Sequence, residues 1–130
     1  MSNSCKSTIA VVDDDERVLE SLEDLLESAG HSVLVFVSGQ ALLEDDGFPT
    51  IDCLIADIDM PVIDGFELQR RAQAKRPGLP VILITGRHEI AGQQRATARG
   101  NYGFFYKPFD TQALLAAVGR AIRAKRARLT

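Results

Sequence analysis

The chain has 130 residues, 45% of them apolar, and carries 18 acids against 15 Lys and Arg for a net charge of −3. That size and balance suit one packed domain rather than a disordered, collagenous or disulfide-stapled chain. No run approaches the roughly 18 apolar residues of a membrane helix. Met1–Ser7 lacks the apolar centre of a secretory signal, so a soluble cytoplasmic domain that does not engage the membrane is expected.

Continuous apolar runs predict parallel strands buried on both faces at Ile9–Val12, Val33–Val37, Cys53–Ala56 and Val81–Ile84, with a more aromatic one at Phe104–Tyr106. Between the first two, Val18, Leu22, Leu25, Leu26 and Ala29 share a helical stripe, with Asp15 placed as N-cap and Gly30 as the stop. Ala41–Leu43 is a short helical candidate. Phe66–Ala74 is another, opening after a Pro61/Asp64-Gly65 turn and ending before Pro77. Glu89–Ala98 contains Gly92 and few apolar residues, so a loosely docked helix is expected there. Leu114, Ala117, Val118, Ala121 and Ile122 make the last stripe, behind an Asp110 cap.

With right-handed crossovers this alternation gives a doubly wound α/β domain. Its five-stranded parallel sheet is expected in the flavodoxin-like order 2-1-3-4-5, with helices on both faces. The domain is expected over residues 8–124, with 1–7 a flexible N-terminus and 125–130 a basic tail or linker stub. Cys5 and Cys53 have no spacing that suggests a zinc site or a disulfide framework.

Charge is unevenly spread: residues 1–66 hold fifteen acids and two bases, residues 67–130 three acids and thirteen bases. Glu20, Glu23, Asp24 and Glu27 read as the solvated face of the first helix, which leaves Asp13, Asp14, Asp57 and Asp59 to be explained. In such sheets ligands bind beyond the carboxyl ends of the strands where the winding reverses, here between the first and third strands. Asp13-Asp14-Asp15 and Asp57-Ile58-Asp59 stand at those two ends. Carboxylates on strands ~4.8 Å apart repel unless a cation lies between them, and oxygen-only donors suit Mg²⁺, or Mn²⁺, rather than zinc. Helix capping would use only Asp15 of the first triplet. At the same edge the fourth strand ends in Thr85-Gly86 and the fifth in Lys107-Pro108. Singly these read as an ordinary strand residue and a lysine reaching solvent. Beside the acids, the hydroxyl and ammonium complete a site for a phosphoryl group carried on a carboxylate.

Val11-Val12-Asp13-Asp14, Asp57-Ile58-Asp59-Met60-Pro61 with Asp64-Gly65, Thr85-Gly86 and Lys107-Pro108-Phe109 together resemble the signature of response-regulator receiver domains of two-component systems, from about Thr8 to about Ala124. The wording is most similar to receivers that precede LuxR-type helix-turn-helix output domains. The resemblance implies that Asp57 is the nucleophile and phosphoacceptor. It implies Mg²⁺ on the Asp14 and Asp57 carboxylates, with Asp13 supporting it directly or through water and Asp59 offering its backbone carbonyl. Lys107, with a cis peptide to Pro108, would pair with the phosphoryl group; Thr85 would close on it and Phe104 would follow inward. The implied partners are a sensor histidine kinase and an output domain or downstream protein. The signalling surface would combine Glu89–Ala98, the fifth strand and the last helix, with a phosphorylation-dependent homodimer as one use of it. Asp59 and Arg87 would face the mouth of the site, either as an ion pair that slows water or as side chains that simply point into solvent.

Asn101-Tyr102-Gly103 and the acid at Asp59 depart from the common pattern without removing a group the reaction needs. Asp57-Ile58-Asp59 after an apolar strand also resembles the nucleophile motif of haloacid-dehalogenase-type phosphatases. That family uses its first strand and downstream acids, and here only Glu67, Glu89 and Asp110 follow Asp64. A degenerate receiver serving only as an interaction module is the other alternative, opposed by the complete set of site residues. Direct nucleic-acid binding is not expected, because the bases are scattered and no recognition-helix pair is left over. The expected behaviour is that of a self-modifying switch rather than a turnover enzyme.

Overall fold

In the computed structural model residues 7–86, 101–107 and 110–129 are described, with Asn101, Tyr102 and residues 125–129 described by backbone alone. The five strands are β1 (Thr8–Val12), β2 (Ser32–Phe36), β3 (Cys53–Asp57), β4 (Val81–Thr85) and β5 (Asn101–Tyr106). They form one parallel sheet in the order β2-β1-β3-β4-β5. Helices α1 (Glu16–Ser28), α2 (Gly39–Glu44), α3 (Gly65–Lys75) and α4 (Thr111–Leu129) are joined by a 3₁₀ turn at Phe48–Thr50.

Successive strand side chains point to opposite faces, and here both faces are dry. Ile9, Val11, Cys53, Ile55, Ile82 and Ile84 pack on Leu19, Leu22 and Leu26 of α1 and on Leu114, Ala117 and Val118 of α4. Ala10, Val12, Leu54, Ala56, Val81 and Leu83 pack on Leu42 of α2 and on Leu68 and Ala72 of α3. This is why the strand sequences run apolar without alternation. Each fully buried aliphatic side chain contributes about 1.5–3 kcal/mol relative to exposure, so the central strands carry much of the folding energy.

Local signals fix the ends of the helices. Asp15 accepts the Arg17 N–H at the start of α1. Gly30, at φ 97°, closes the same helix, with its N–H on the Glu27 carbonyl and that of His31 on the Leu26 carbonyl. Asp64 caps α3 through the Glu67 N–H, and Asp110 caps α4 through the Gln112 and Ala113 N–H groups.

Two boundaries differ from the sequence reading by more than two residues. β5 begins at Asn101 rather than Phe104, and its register against β4 steps from Val81↔Asn101 to Ile82↔Gly103, so the Asn101-Tyr102-Gly103 departure falls on a sheet irregularity. Helix α4 continues through Lys125 to Leu129, so most of the expected basic tail is helical. Residues 125–129 are good helix formers and include no Gly or Pro. The expected helix Glu89–Ala98, Arg87, the Lys107–Pro108 peptide and Met1–Lys6 lie outside the described residues. Among those described, no helix is long and apolar enough to cross a membrane.

Gly65 couples the fold to the loop after β3. A Cβ built there would stand 2.7 Å from the Asp57 carbonyl oxygen and 2.7 Å from the Ile58 Cα, both backbone atoms with little room to yield. Helix propensity favours Ala over Gly, but overpacking opposes it with about 1–3 kcal/mol. Gly65→Ala is therefore expected to lower the urea midpoint; a neutral or raised midpoint would mean that the loop gives way freely.

Candidate functional site

The strand hydrogen-bond ladder runs one residue past the strands and thereby fixes the site. The Asp13 N–H donates to the Phe36 carbonyl (3.1 Å), the Ile58 N–H to the Ile84 carbonyl (2.8 Å) and the Lys107 N–H to the Thr85 carbonyl (2.7 Å). Since Val12 pairs with Ala56, Asp57 with Ile84 and Thr85 with Tyr106, the next residues gather at one edge of the sheet. Asp13 is fully buried and Asp57 is 3% exposed, whereas Asp14 is exposed.

Carboxylate oxygens of Asp13, Asp14 and Asp57 all lie within 4.8 Å of one another. The Lys107 ammonium donates to Asp13 Oδ2 at 2.8 Å and reaches Asp57 Oδ2 at 3.4 Å. The remaining oxygens are held by backbone: Asp13 Oδ1 accepts the Asp15 N–H at 2.9 Å, and Asp57 Oδ1 accepts the Asp59 N–H at 3.1 Å. One ammonium thus faces three acids.

The electrostatics follow from that imbalance. Burial pushes the Asp57 carboxyl up to about 6; the charges of Asp13 and Asp59 add to this, while the Asp59 N–H and Lys107 oppose it. For Lys107 burial acts downward, but the hydrogen bond and charge of Asp13, followed by those of Asp57, hold its pKa above the usual lysine value. All the donors are oxygen, two are buried and one opens to solvent. That set fits a hard divalent cation that keeps some of its water, such as Mg²⁺.

Asp59 does not join the cluster through its side chain. Its Oδ2 instead accepts the Thr85 hydroxyl at 2.6 Å and the Gly86 N–H at 3.3 Å. No local pattern signals this bond, which spans 26 residues and depends on the path of the loop between β3 and α3. That loop carries Val62 in the left-handed region (φ 67°), 99% exposed. Arg87, expected opposite Asp59, lies outside the described residues. Phe104 packs partly buried against the α2/α3 face of the core, edge-on to Tyr106 at 5.3 Å.

Of the downstream acids a phosphatase would need, Glu67 is paired with Arg70 and Arg71, and Asp110 caps α4. Glu89 is outside the described residues. Cys53 is buried and its thiol is pushed up to about 12 by that burial, so it stays protonated.

Comparison with known proteins agrees with this geometry. Residues 9–119 match the response regulator receiver domain family. The chain is 38% identical over 121 residues to the response regulator protein TmoT of Ectopseudomonas mendocina, covering 93% of this chain and 55% of TmoT. It is 36% identical over 118 residues to the transcriptional regulatory protein FixJ of Bradyrhizobium diazoefficiens, covering 91% and 58%. A response regulator receiver domain protein from Clostridium thermocellum superposes with a TM-score of 0.83 at 29% identity, covering 93% of this chain and 98% of that one. Response regulator StyR does so with a TM-score of 0.81 at 34% identity, covering 95% and 63%. The chain therefore belongs to the receiver domains of two-component response regulators. It spans just over half the length of TmoT and FixJ.

A pH dependence follows from the position of Asp57. Its carboxyl holds a proton more tightly folded, at about 6, than unfolded, at about 3.9. Its contribution to stability is therefore complete below about pH 4 and lost as pH rises through about 6. In metal-free buffer, Asp57→Asn is expected to be more stable than wild type at pH 7.5 by about 2–3 kcal/mol more than at pH 4. Urea unfolding of both proteins at the two pH values measures this. A difference independent of pH would show that Asp57 is not desolvated.

Proposed function

We propose that Asp57 accepts a phosphoryl group from a phosphohistidine of a sensor histidine kinase in a Mg²⁺-assisted reaction. The resulting change of shape would then control an output domain or downstream protein. The observation that carries this reading is the desolvated Asp57 carboxylate, seated among Asp13 and Asp14 with the Lys107 ammonium reaching over it. Mg²⁺, or Mn²⁺, bound by the carboxylates of Asp14 and Asp57, by Asp13 directly or through water, and by the Asp59 carbonyl, would neutralise phosphoryl charge.

Phosphoryl transfer needs positioning and charge stabilisation more than covalent participation from the protein. An Asp57 carboxylate oxygen attacks the phosphorus. A P–O bond forms as the P–N bond breaks, and the electron pair goes to the imidazole nitrogen, which takes a proton from solvent. Lys107 leaves its divided contact with Asp13 and Asp57 to pair with the phosphoryl oxygens, and the Thr85 hydroxyl donates to one of them. Water attacking the same phosphorus later expels the Asp57 carboxylate and resets the domain, which makes the chain a switch. The basic, helical end of α4 and β5 suit a signalling face, and pairing of two phosphorylated copies is one way to use it.

Mass spectrometry after incubation with acetyl phosphate tests the reading. A single phosphoryl adduct on Asp57 is expected with Mg²⁺, and none with EDTA or in Asp57→Asn. An adduct that persists in Asp57→Asn, or that forms equally well in EDTA, would contradict it.

A further inference from the structure

The side chain of Asp59 ties the loop after β3 to the end of β4. Its Oδ2 accepts hydrogen bonds from the Thr85 hydroxyl at 2.6 Å and the Gly86 N–H at 3.3 Å, while its own N–H donates to Asp57 Oδ1 at 3.1 Å. Thr85 is 2% exposed and Asp59 half-buried, so this contact is partly shielded from water. A hydroxyl to carboxylate bond of this length is charge-assisted and roughly twice as strong as a neutral one. A threonine hydroxyl carries one proton and cannot give it fully to two acceptors.

We propose that Asp59 is a latch on Thr85: its carboxylate holds the hydroxyl that the phosphoryl group on Asp57 must recruit, and so biases the unphosphorylated domain toward its resting arrangement. This rests on the function proposed above. Asp59 acts through Thr85 and is a positioning residue. Phosphorylation releases the latch because the new phosphoryl oxygens compete for the same proton, and their charge repels the Asp59 carboxylate across the short loop Asp57-Ile58-Asp59. A ligand that binds only the released arrangement has its apparent affinity reduced by the fraction of molecules in that arrangement. Removing the latch therefore tightens binding without adding a contact.

The test has two arms. In metal-free protein, the Thr85 χ1 rotamer is read from scalar couplings and its methyl shift. One rotamer is expected in wild type, averaging in Asp59→Ala, and wild-type behaviour in Asp59→Asn, which keeps an acceptor oxygen. Averaging already present in wild type, or none in Asp59→Ala, would overturn the latch. This arm involves no phosphoryl chemistry.

In the second arm, beryllofluoride with Mg²⁺ stands in for the phosphoryl group. Asp59→Ala is expected to tighten its binding roughly tenfold when residue 85 is Thr, and hardly at all in Thr85→Ala. Equal tightening in both backgrounds would mean that Asp59 acts only by its charge, and would also overturn the latch. Beryllofluoride binding undiminished in Asp57→Asn would instead contradict the proposed function, so the two failures are distinguishable.

Discussion

Two carboxylates buried at the ends of neighbouring strands, with one ammonium between them, set the terms for this domain. Asp13 and Asp57 are placed by the register of β1 against β3, and Lys107 reaches both from the end of β5. A buried charge without a partner costs several kcal/mol, and even a well-made buried ion pair roughly breaks even. One lysine shared by two buried acids, with Asp14 alongside, leaves the cluster short of positive charge. The packed sheet around it holds the cluster together, and Lys107 alone does not balance its charge.

The rest of the fold holds the strand ends in place. Both faces of β1, β3 and β4 are sealed by helices, so the strand ends cannot drift apart to relax the repulsion. The loop from β3 to α3 is pinned from within, by Gly65 against the Asp57 and Ile58 backbone and by the Asp59 bonds to Thr85 and Gly86. Asp57 is thereby joined to the end of β4 through the Asp59 N–H and the Asp59 carboxylate, and to the end of β5 directly through Lys107. Beyond β4, β5 and α4 are the neighbouring elements in the sheet and on its face.

Much of this was legible in the sequence, for identifiable reasons. Sealing of both faces removes apolar alternation, so Ile9–Val12 and Val81–Ile84 read as continuous runs, and the order of strands followed from the crossover rule. Asp15, Gly30 and Asp110 act at short range and appear where expected. The acids, Thr85 and Lys107 stand out in the sequence because each ends a strand or lies within two residues of its end. What escaped depends on the path of a loop. The turn signal Asp64-Gly65 was visible, but the close backbone approach that demands glycine was not. Val62 at φ 67° runs against the preference of a β-branched side chain and could not be foreseen. Without that path, nothing in the order of residues brings Asp59 to Thr85. The sheet irregularity at Asn101-Tyr102-Gly103 and the continuation of α4 to Leu129 are boundary effects, the kind that local patterns fix least well.

The strand-end cluster is a charge deficit whose oxygen donors fit a divalent cation. Unfolding of wild type, Asp14→Asn and Asp57→Asn with and without Mg²⁺ at pH 7.5 tests it most directly, because ligand binding to the folded state alone adds about 2.7 kcal/mol at a hundredfold excess over Kd. Asp14 is exposed, so its replacement should leave the core undisturbed. Mg²⁺ is expected to raise the stability of wild type by an increment that grows with its concentration, and to do little for either variant. Equal stabilisation of all three proteins, or none of wild type, would contradict the claim.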